Sequence, residues 1–249
     1  GSRGLGDVYK RQIINGAECE PYITSDYRCF MEEGEDVLEG VLLMLKYLGI
    51  PKCVIGIEKN KPKAIEKMTR LCEKHDNITV KPLKSSYPQG AEKTLIFSTT
   101  GRVVKEGTLP LASGCIVINS STAAFIAQYI RTGMPLVKRR ITVDGNIVKK
   151  PSNFIVPVGM SIGEIVYYAE LSDKPDRIIL GGPMMGACAF DPDYPLSKTN
   201  NAVLMFADSP VYEPSDCIRC GKCVKACSMN LLPTELEHAF DMRLSLIHI

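Results

Sequence analysis

The sequence lacks features that define several functional classes. Its 30 Lys and Arg residues nearly balance 28 Asp and Glu residues, for a formal charge of +2, and the basic residues are scattered. The chain therefore has no basic stripe of the kind that nucleic-acid-binding proteins present. The richest apolar stretch, residues 37–50, contains Glu39 and Lys46. It is shorter than the roughly 18 to 20 apolar residues of a membrane-spanning helix. We expect neither nucleic-acid binding nor a membrane span.

Histidine is scarce, with three residues, but cysteine is plentiful, with ten. Four of the cysteines stand in the run DCIRCGKCVKACSMNLLP, at Cys217, Cys220, Cys223 and Cys227. In this C-x2-C-x2-C-x3-C spacing the first three thiolates wrap one face of a cubane cluster, while the fourth usually binds a different cluster. No second run of this kind is present in the sequence. The spacing predicts one [4Fe–4S] site with Cys227 as a ligand of another.

Zinc and unligated thiols are the alternatives for these cysteines. Zinc prefers two Cys or Cys/His pairs across a longer spacer, and no such pair follows Cys227. Disulfides are disfavoured because nothing at the N-terminus has the pattern of a secretory signal, so we expect a reducing compartment. Ser228 departs from the usual motif, which has proline there. Elsewhere Cys53, Cys72 and Cys115 lie in apolar stretches and are predicted to be core residues.

The first half of the chain alternates helical and strand patterns. Apolar residues recur at helical spacing from Val37 to Leu48, before Gly49 and Pro51 end the helix, and a second such pattern follows Pro62 and reaches Cys72. A later helix is expected to start at a cap on Ser120 or Ser121 and to end at Gly133. Three short segments rich in β-branched residues predict strands. They are KCVIGIE, ITVKPL and GCIVIN, at residues 52–58, 78–83 and 114–119. This alternation predicts an α/β fold with a parallel sheet covered by helices.

After Pro135 the pattern changes to a small mixed module. ITVDGNIV predicts a β-hairpin with a two-residue turn at Asp144 and Gly145. NFIVPV follows as a strand, a capping box at Ser161 and Glu164 opens a helix, and RIIL at 177–180 is another strand. Hairpin, helix and strand in this order favour a β-grasp module.

Five blocks of the sequence resemble, in order, those of the C subunit of the Rnf electron-transport complex. That family is related to the flavin-carrying, NADH-oxidising subunit of respiratory complex I. The blocks are INGAECEPY, YPQGAEKTLI, NSSTAAFI, GGPMMG and CIRCGKCVKACSMNLLP, at residues 14–22, 87–96, 119–126, 181–186 and 217–233. Single glycine-rich blocks are weak signals, but five ordered matches that end in a cluster motif are specific.

The resemblance implies three domains. A Rossmann-like domain for FMN and NADH would span residues 13–134, an SLBB-type β-grasp domain 135–190, and a linker with the first half of a helical ferredoxin-like 4Fe-4S domain 191–242. Residues 1–12 and 243–249 continue neither neighbouring pattern and are expected to be non-native tails. The family's glycine-rich loop for the flavin phosphate and its second cysteine run are then expected to lie outside this sequence. We expect the chain alone to be inactive in NADH-driven electron transfer.

The resemblance also implies the residues of a flavin site. The candidates for lining FMN are Asn15, Glu18, Gly90, Glu92, Asn119 and Thr122, and those for contacting the nicotinamide nucleotide are Glu20 and Glu92. Asn and Thr offer donors to flavin carbonyls, carboxylates accept from ribose or amide groups, and glycine permits close approach. The alternative is that Asn15 and Gly16 form a turn and Ser121 caps a helix.

The implied function is electron transfer among NADH, FMN and two [4Fe–4S] clusters. The protein would lie on the cytoplasmic face of the bacterial membrane, beside the other subunits of the Rnf complex and a ferredoxin partner. In the whole complex this redox work is coupled to ion movement. Two alternatives stay open: a cobalamin-reductase-like flavo-iron–sulfur protein, and a non-catalytic iron–sulfur relay module without flavin.

Overall fold

The computed structural model describes residues 10–207, 213, 215–227 and 231–243. Ser228 and most of the two predicted tails, residues 1–9 and 244–249, lie outside the described residues. The chain divides into two units, Gly1–Ser209 and Pro210–Ile249. The first strand begins at Arg11, inside the segment that we expected to be a tail.

A four-stranded parallel sheet forms the first layer of unit 1, in the order β3-β2-β1-β4. The strands are β1 (Arg11–Gly16), β2 (Lys52–Glu58), β3 (Ile78–Leu83) and β4 (Cys115–Asn119). The helices are α1 (Ser25–Leu48), α2 (Pro62–Cys72), α3 (Glu92–Thr100) and α4 (Ser120–Thr132), with a 3₁₀ helix at Pro110–Ser113. The predicted parallel sheet covered by helices is confirmed.

Successive side chains of a strand point to opposite faces, and the sheet uses both faces for its core. Ile14 packs with α1, α2 and α4, whereas its neighbour Ile13 packs with α3. The chain therefore runs from β1 to β3 with its helices on one face, and α3 crosses the other face to reach β4. The strand order reverses between β1 and β4, which makes their carboxyl ends the topological switch point. In this ladder Asn15 pairs with Asn119.

Helix α1 begins twelve residues before the predicted stretch, at Ser25 instead of Val37. Its first half is rich in acidic residues that hide the apolar period, and Glu33 has non-helical backbone angles that mark a kink. Gly49 ends the helix in the left-handed conformation (φ +61°), as the sequence indicated. The predicted burial of Cys53, Cys72 and Cys115 is confirmed.

The second layer of unit 1 is a mixed five-stranded sheet in the order β6-β5-β9-β7-β8. Its elements are β5 (Lys138–Asp144), β6 (Ser152–Pro157), α5 (Ile162–Ala169), β7 (Arg177–Leu180), β8 (Ala187–Ala189) and β9 (Ala202–Phe206). β5 runs antiparallel to β6 and parallel to β9. Helix α5 packs Ile162 and Ile165 against the sheet, and its predicted capping box is present, with Glu164 N donating to Ser161 Oγ (3.2 Å).

The predicted two-residue hairpin turn is wrong. β5 and β6 do pair, but residues 145–151 connect them. Gly145 lies against the backbone of β9, where a Cβ would overlap Met205 O. Asn146 exchanges two hydrogen bonds with the backbone of Ala207 (2.7 and 3.0 Å). The Asp-Gly pair thus serves a long-range contact with β9, which local sequence does not encode.

Unit 2 contains two short helices among its described residues, α6 (Lys222–Ala226) and α7 (Pro233–Asp241). Across the described part of the chain, no helix is both long and apolar enough to cross a membrane.

Candidate functional site

A crevice of about 280 Å³ opens beyond the carboxyl end of β1, beside the switch point of the parallel sheet. Three segments of the first layer line it: the loop after β1, the start of α1, and the loop before α3. The second layer adds Met185 and Asn201. Of the residues predicted for flavin or nucleotide binding, Glu18, Glu20 and Gly90 line this crevice. Open α/β sheets place their ligands at this position because the loops that leave adjacent strands diverge there.

Asn15 joins the loop after β1 to the loop before α3 by hydrogen bonds. Its Nδ2 donates to Gly90 O (2.9 Å), and its Oδ1 accepts from Ala17 N (3.1 Å). A Cβ on Gly90 would lie 2.5 Å from Ala17 O, so only glycine permits this approach. Asn15 therefore supports the crevice rather than lining it.

Glu18 caps the start of α1 from the preceding loop. Its Oε1 accepts from Asp26 N (2.7 Å) and its Oε2 from Tyr27 N (3.3 Å), so the carboxylate satisfies amides that the helix leaves free. Lys61 Nζ pairs with Glu18 Oε2 at 3.0 Å and with Glu58 Oε2 at 3.5 Å. The side chains of both glutamates are 3% exposed. Burial raises the pKa of Glu58, and Lys61 acts against that rise.

Glu20 links the crevice to the second layer. Its Oε2 accepts from Met184 N (3.1 Å) in the GGPMMG loop. A Cβ on Gly182 would overlap that oxygen, so the glycine makes room for the carboxylate. Its Oε1 is buried and has no hydrogen-bond partner among the described residues. A buried unpaired acceptor is costly, so this oxygen is suited to a ligand donor.

Asp26 is a site residue that no sequence motif indicated. Its Oδ2 accepts from Asn119 Nδ2 (2.9 Å), and its Oδ1 accepts from Ser120 Oγ (3.2 Å) and Ser121 Oγ (3.3 Å). Burial, and then the nearby charge of Glu18, raise its pKa from 3.8 to about 6 against these hydrogen bonds. Asp26 lines the crevice and joins the starts of α1 and α4.

Asn119, and not Ser120 or Ser121, caps α4. Its Oδ1 accepts from Ser121 N (2.9 Å), while Nδ2 reaches Asp26. The predicted cap, Ser120 or Ser121, lies after the observed one because α4 starts directly at the end of β4, with no loop between them. Asn119 therefore acts on the crevice through Asp26.

Glu92 and Thr122 do not line the crevice. Glu92 is exposed in the first turn of α3. Thr122 is exposed at the start of α4 and lines a separate cavity beside β5.

The cysteine run of unit 2 holds three exposed thiols, Cys217, Cys220 and Cys223, and the partly buried Cys227. Arg219 adopts a left-handed conformation (φ +55°), and its N–H lies 3.4 Å from Cys217 Sγ, as a donor to that sulfur. Four thiols with a backbone donor match the chemistry of an iron–sulfur site. Among the residues that the structure describes, however, no three His, Cys, Asp or Glu side chains are gathered to hold a metal ion.

The sequence profile of the Nuo51 FMN-binding domain matches residues 5–128. The chain is 41% identical over 228 residues to the C subunit of the proton-translocating ferredoxin:NAD(+) oxidoreductase complex of Clostridium ljungdahlii, covering 90% of this chain and 50% of the relative. It is 39% identical over 227 residues to the C subunit of the Na(+)-translocating complex of Acetobacterium woodii, covering 90% and 51%. The chain belongs to this family of C subunits. The Rnf resemblance is thus confirmed.

A third C subunit matches the chain to a similar extent. The C subunit of the ion-translocating oxidoreductase complex of Rhodobacter capsulatus is 38% identical over 237 residues, covering 92% of this chain and 46% of the relative. The chain therefore spans about half the length of these relatives. A chain of an NAD+-reducing [NiFe]-hydrogenase crystal structure shares the fold, with a TM-score of 0.67 at 19% identity, over 80% of this chain and 41% of that one.

Proposed function

We propose that the chain is part of an electron-transfer subunit of an ion-translocating ferredoxin:NAD(+) oxidoreductase complex, and that FMN binds in the switch-point crevice. The position of this crevice, lined by the NGAECEP and YPQGAE blocks, is the observation that carries the proposal. When bound, FMN supplies the exchange between a two-electron carrier such as NADH and one-electron carriers.

The crevice residues support this assignment by their chemistry. The volume of about 280 Å³ is near the lower end of ligand pockets, which begin at roughly 300 Å³, and suits a planar ring system. Glu20 offers a buried acceptor to a ring N–H or a ribose hydroxyl. Glu18, Asn15 and Asn119 hold the surrounding loops and helices in place. Glu92, exposed at the start of α3, stays a candidate for the nicotinamide nucleotide.

The cysteine run carries the second part of the proposal. Cys217, Cys220 and Cys223 would hold one [4Fe–4S] cluster, and Cys227 would bind another completed by ligands elsewhere in the complete protein. The second layer of unit 1 would be an SLBB-type β-grasp domain. The complete protein would have ferredoxin, NADH and the other subunits of the complex as its partners, at the cytoplasmic face of the membrane.

Gly90→Ala tests the flavin site in the complete protein. The new Cβ would push the loop before α3 away from Ala17 O and disturb the crevice wall. A loss of about 1.4 kcal/mol of binding free energy corresponds to a tenfold loss of affinity, and we expect the displaced wall to lower FMN affinity by about this factor or more. Gly163→Ala is the matched control, because its Cβ would meet Pro192 O at an ordinary 3.4 Å. Bound flavin is measured after release from the purified protein.

Glu20→Gln is a second variant that leaves the backbone alone. The amide oxygen can still accept from Met184 N, but an NH2 group then replaces the free carboxylate oxygen. FMN affinity should fall by about tenfold. Unchanged flavin occupancy in both variants would refute the assignment of this crevice.

A further inference from the structure

Two exposed apolar side chains line the switch-point crevice from opposite layers. Tyr87, in the loop before α3, is 48% exposed, and Met185, in the loop between β7 and β8, is 77% exposed. Exposed apolar residues that lie singly are ordinary on protein surfaces. These two, however, border one cavity, together with the buried Ala17 and Ile23. Their exposure therefore coincides with a ligand position.

The loop that carries Met185 approaches the crevice closely through its glycines. It comprises residues 181–186 and connects β7 to β8. A Cβ on Gly182 would overlap the Glu20 carboxylate, and a Cβ on Gly186 would lie 2.5 Å from Gly182 O. Gly186 N also donates to Gly182 O (2.8 Å) across the loop. Because only glycine permits these contacts, the loop is held against Glu20 and Met185 is held at the crevice.

The loop that carries Tyr87 is fixed by hydrogen bonds on both sides of this residue. Gln89 N donates to Ser86 O (2.8 Å). Asn15 Nδ2 donates to Gly90 O (2.9 Å). Exposed side chains, in contrast, change rotamer within picoseconds to nanoseconds. The side chains of the two loops can therefore adjust to a ligand while the backbone of each wall stays in place.

We propose that Met185 and Tyr87 cover a planar aromatic ring in this crevice and exclude water from its outer side. A tyrosine ring stacks on another flat ring, and a methionine sulfur makes favourable contacts with aromatic rings. The buried Glu20 Oε1 offers a polar acceptor within the same cavity. The inference rests on the proposed function, because the FMN ring is the expected occupant.

Methionine oxidation by dilute peroxide tests this cover in the complete protein. Met185 should be oxidised rapidly in the flavin-free form, and saturating FMN or riboflavin should slow its oxidation by about fivefold or more, since susceptibility follows exposure. Met134, an exposed methionine that does not line the crevice, is the internal reference and should react at one rate in both forms. Mass spectrometry with fragment ions locates the oxidised residue.

Met185→Ala removes one half of the cover and leaves the loop glycines unchanged. Affinity for FMN and for riboflavin should fall by the same factor, about tenfold, because the two ligands share the ring. Met185→Leu keeps an apolar side chain of similar volume and should retain most of the affinity. Met134→Ala is the control and should bind both ligands like the parent protein. Titration of flavin fluorescence measures these affinities.

Three results would overturn the cover. They are equal oxidation of Met185 with and without flavin, unchanged affinity in Met185→Ala, and a loss of affinity for FMN but not for riboflavin, which would assign the contact to the phosphate. Each of them leaves the proposed function standing when the parent protein binds FMN and Gly90→Ala weakens that binding. A parent protein that binds no flavin would overturn both.

Discussion

Replacing Asp26 with asparagine should remove the pH dependence that this residue imposes on folding. The carboxyl is held between the starts of α1 and α4, where burial and Glu18 raise its pKa from 3.8 to about 6. A raised carboxyl pKa means that the folded state prefers the protonated form. The stabilisation is therefore complete below about pH 3.8 and is lost as the pH rises through about 6.

The size of the effect follows from linkage. The difference between 3.8 and about 6 corresponds to about 3 kcal/mol at about 1.36 kcal/mol per pH unit. An asparagine at position 26 has no charge at any of these pH values, and its shape is that of the protonated acid. The variant should therefore gain about 3 kcal/mol relative to the parent protein between about pH 4 and pH 7.

Urea unfolding at a series of pH values measures this difference. The chain has no tryptophan, so far-ultraviolet circular dichroism is the suitable signal. Subtracting the two free energies of unfolding at each pH removes the titration of all groups that the two proteins share. Asp76→Asn, the same substitution at an exposed position, is the control for the chemical change itself. A flat difference for Asp26→Asn, or one that favours the parent as pH rises, would refute the reasoning.

Three further predictions concern other parts of the chain. Lys61→Met leaves the buried carboxylates of Glu18 and Glu58 without their ion-pair partner, so the free energy of unfolding measured in urea should fall by about 3–5 kcal/mol. Lys63→Met, at an exposed position, is the control and should change it little. Equal losses in the two variants would contradict the buried ion network. In Gly145→Ala the new Cβ would overlap Met205 O of β9, and the alanine would have to keep the φ of +138° that Gly145 adopts. The melting temperature should therefore drop by several degrees, at about 2–4 °C for each kcal/mol of stability lost. An unchanged melting temperature would show that the close contact is not needed. Cys220→Ser should abolish iron uptake and absorption near ~400 nm in anaerobic reconstitution, while Cys188→Ser keeps both; iron uptake by the Cys220 variant would remove that cysteine from the site.

Local patterns predicted the elements whose signals are complete within a few residues. β2, β3 and α2 have the bounds that their apolar periods indicated. β9 was not predicted, because its apolar run lies in a loop-rich region and becomes a central strand only through β5 and β7. The same limit applies to sites. Asn15 and Gly90 were found through short motifs, but the role of Asp26 depends on Asn119, 93 positions away.

The pairing of Asn15 with Asn119 across the β1–β4 ladder has a consequence for sequence divergence. Alternate residues of a strand face opposite sides of the sheet, so a single inserted or deleted residue within β1 or β4 would turn that asparagine to the wrong face. Insertions after the helices would leave the pair untouched. Length variation tolerated by related genes should therefore fall in the connecting loops, and transplanting this site onto another sheet requires copying strand lengths before side chains.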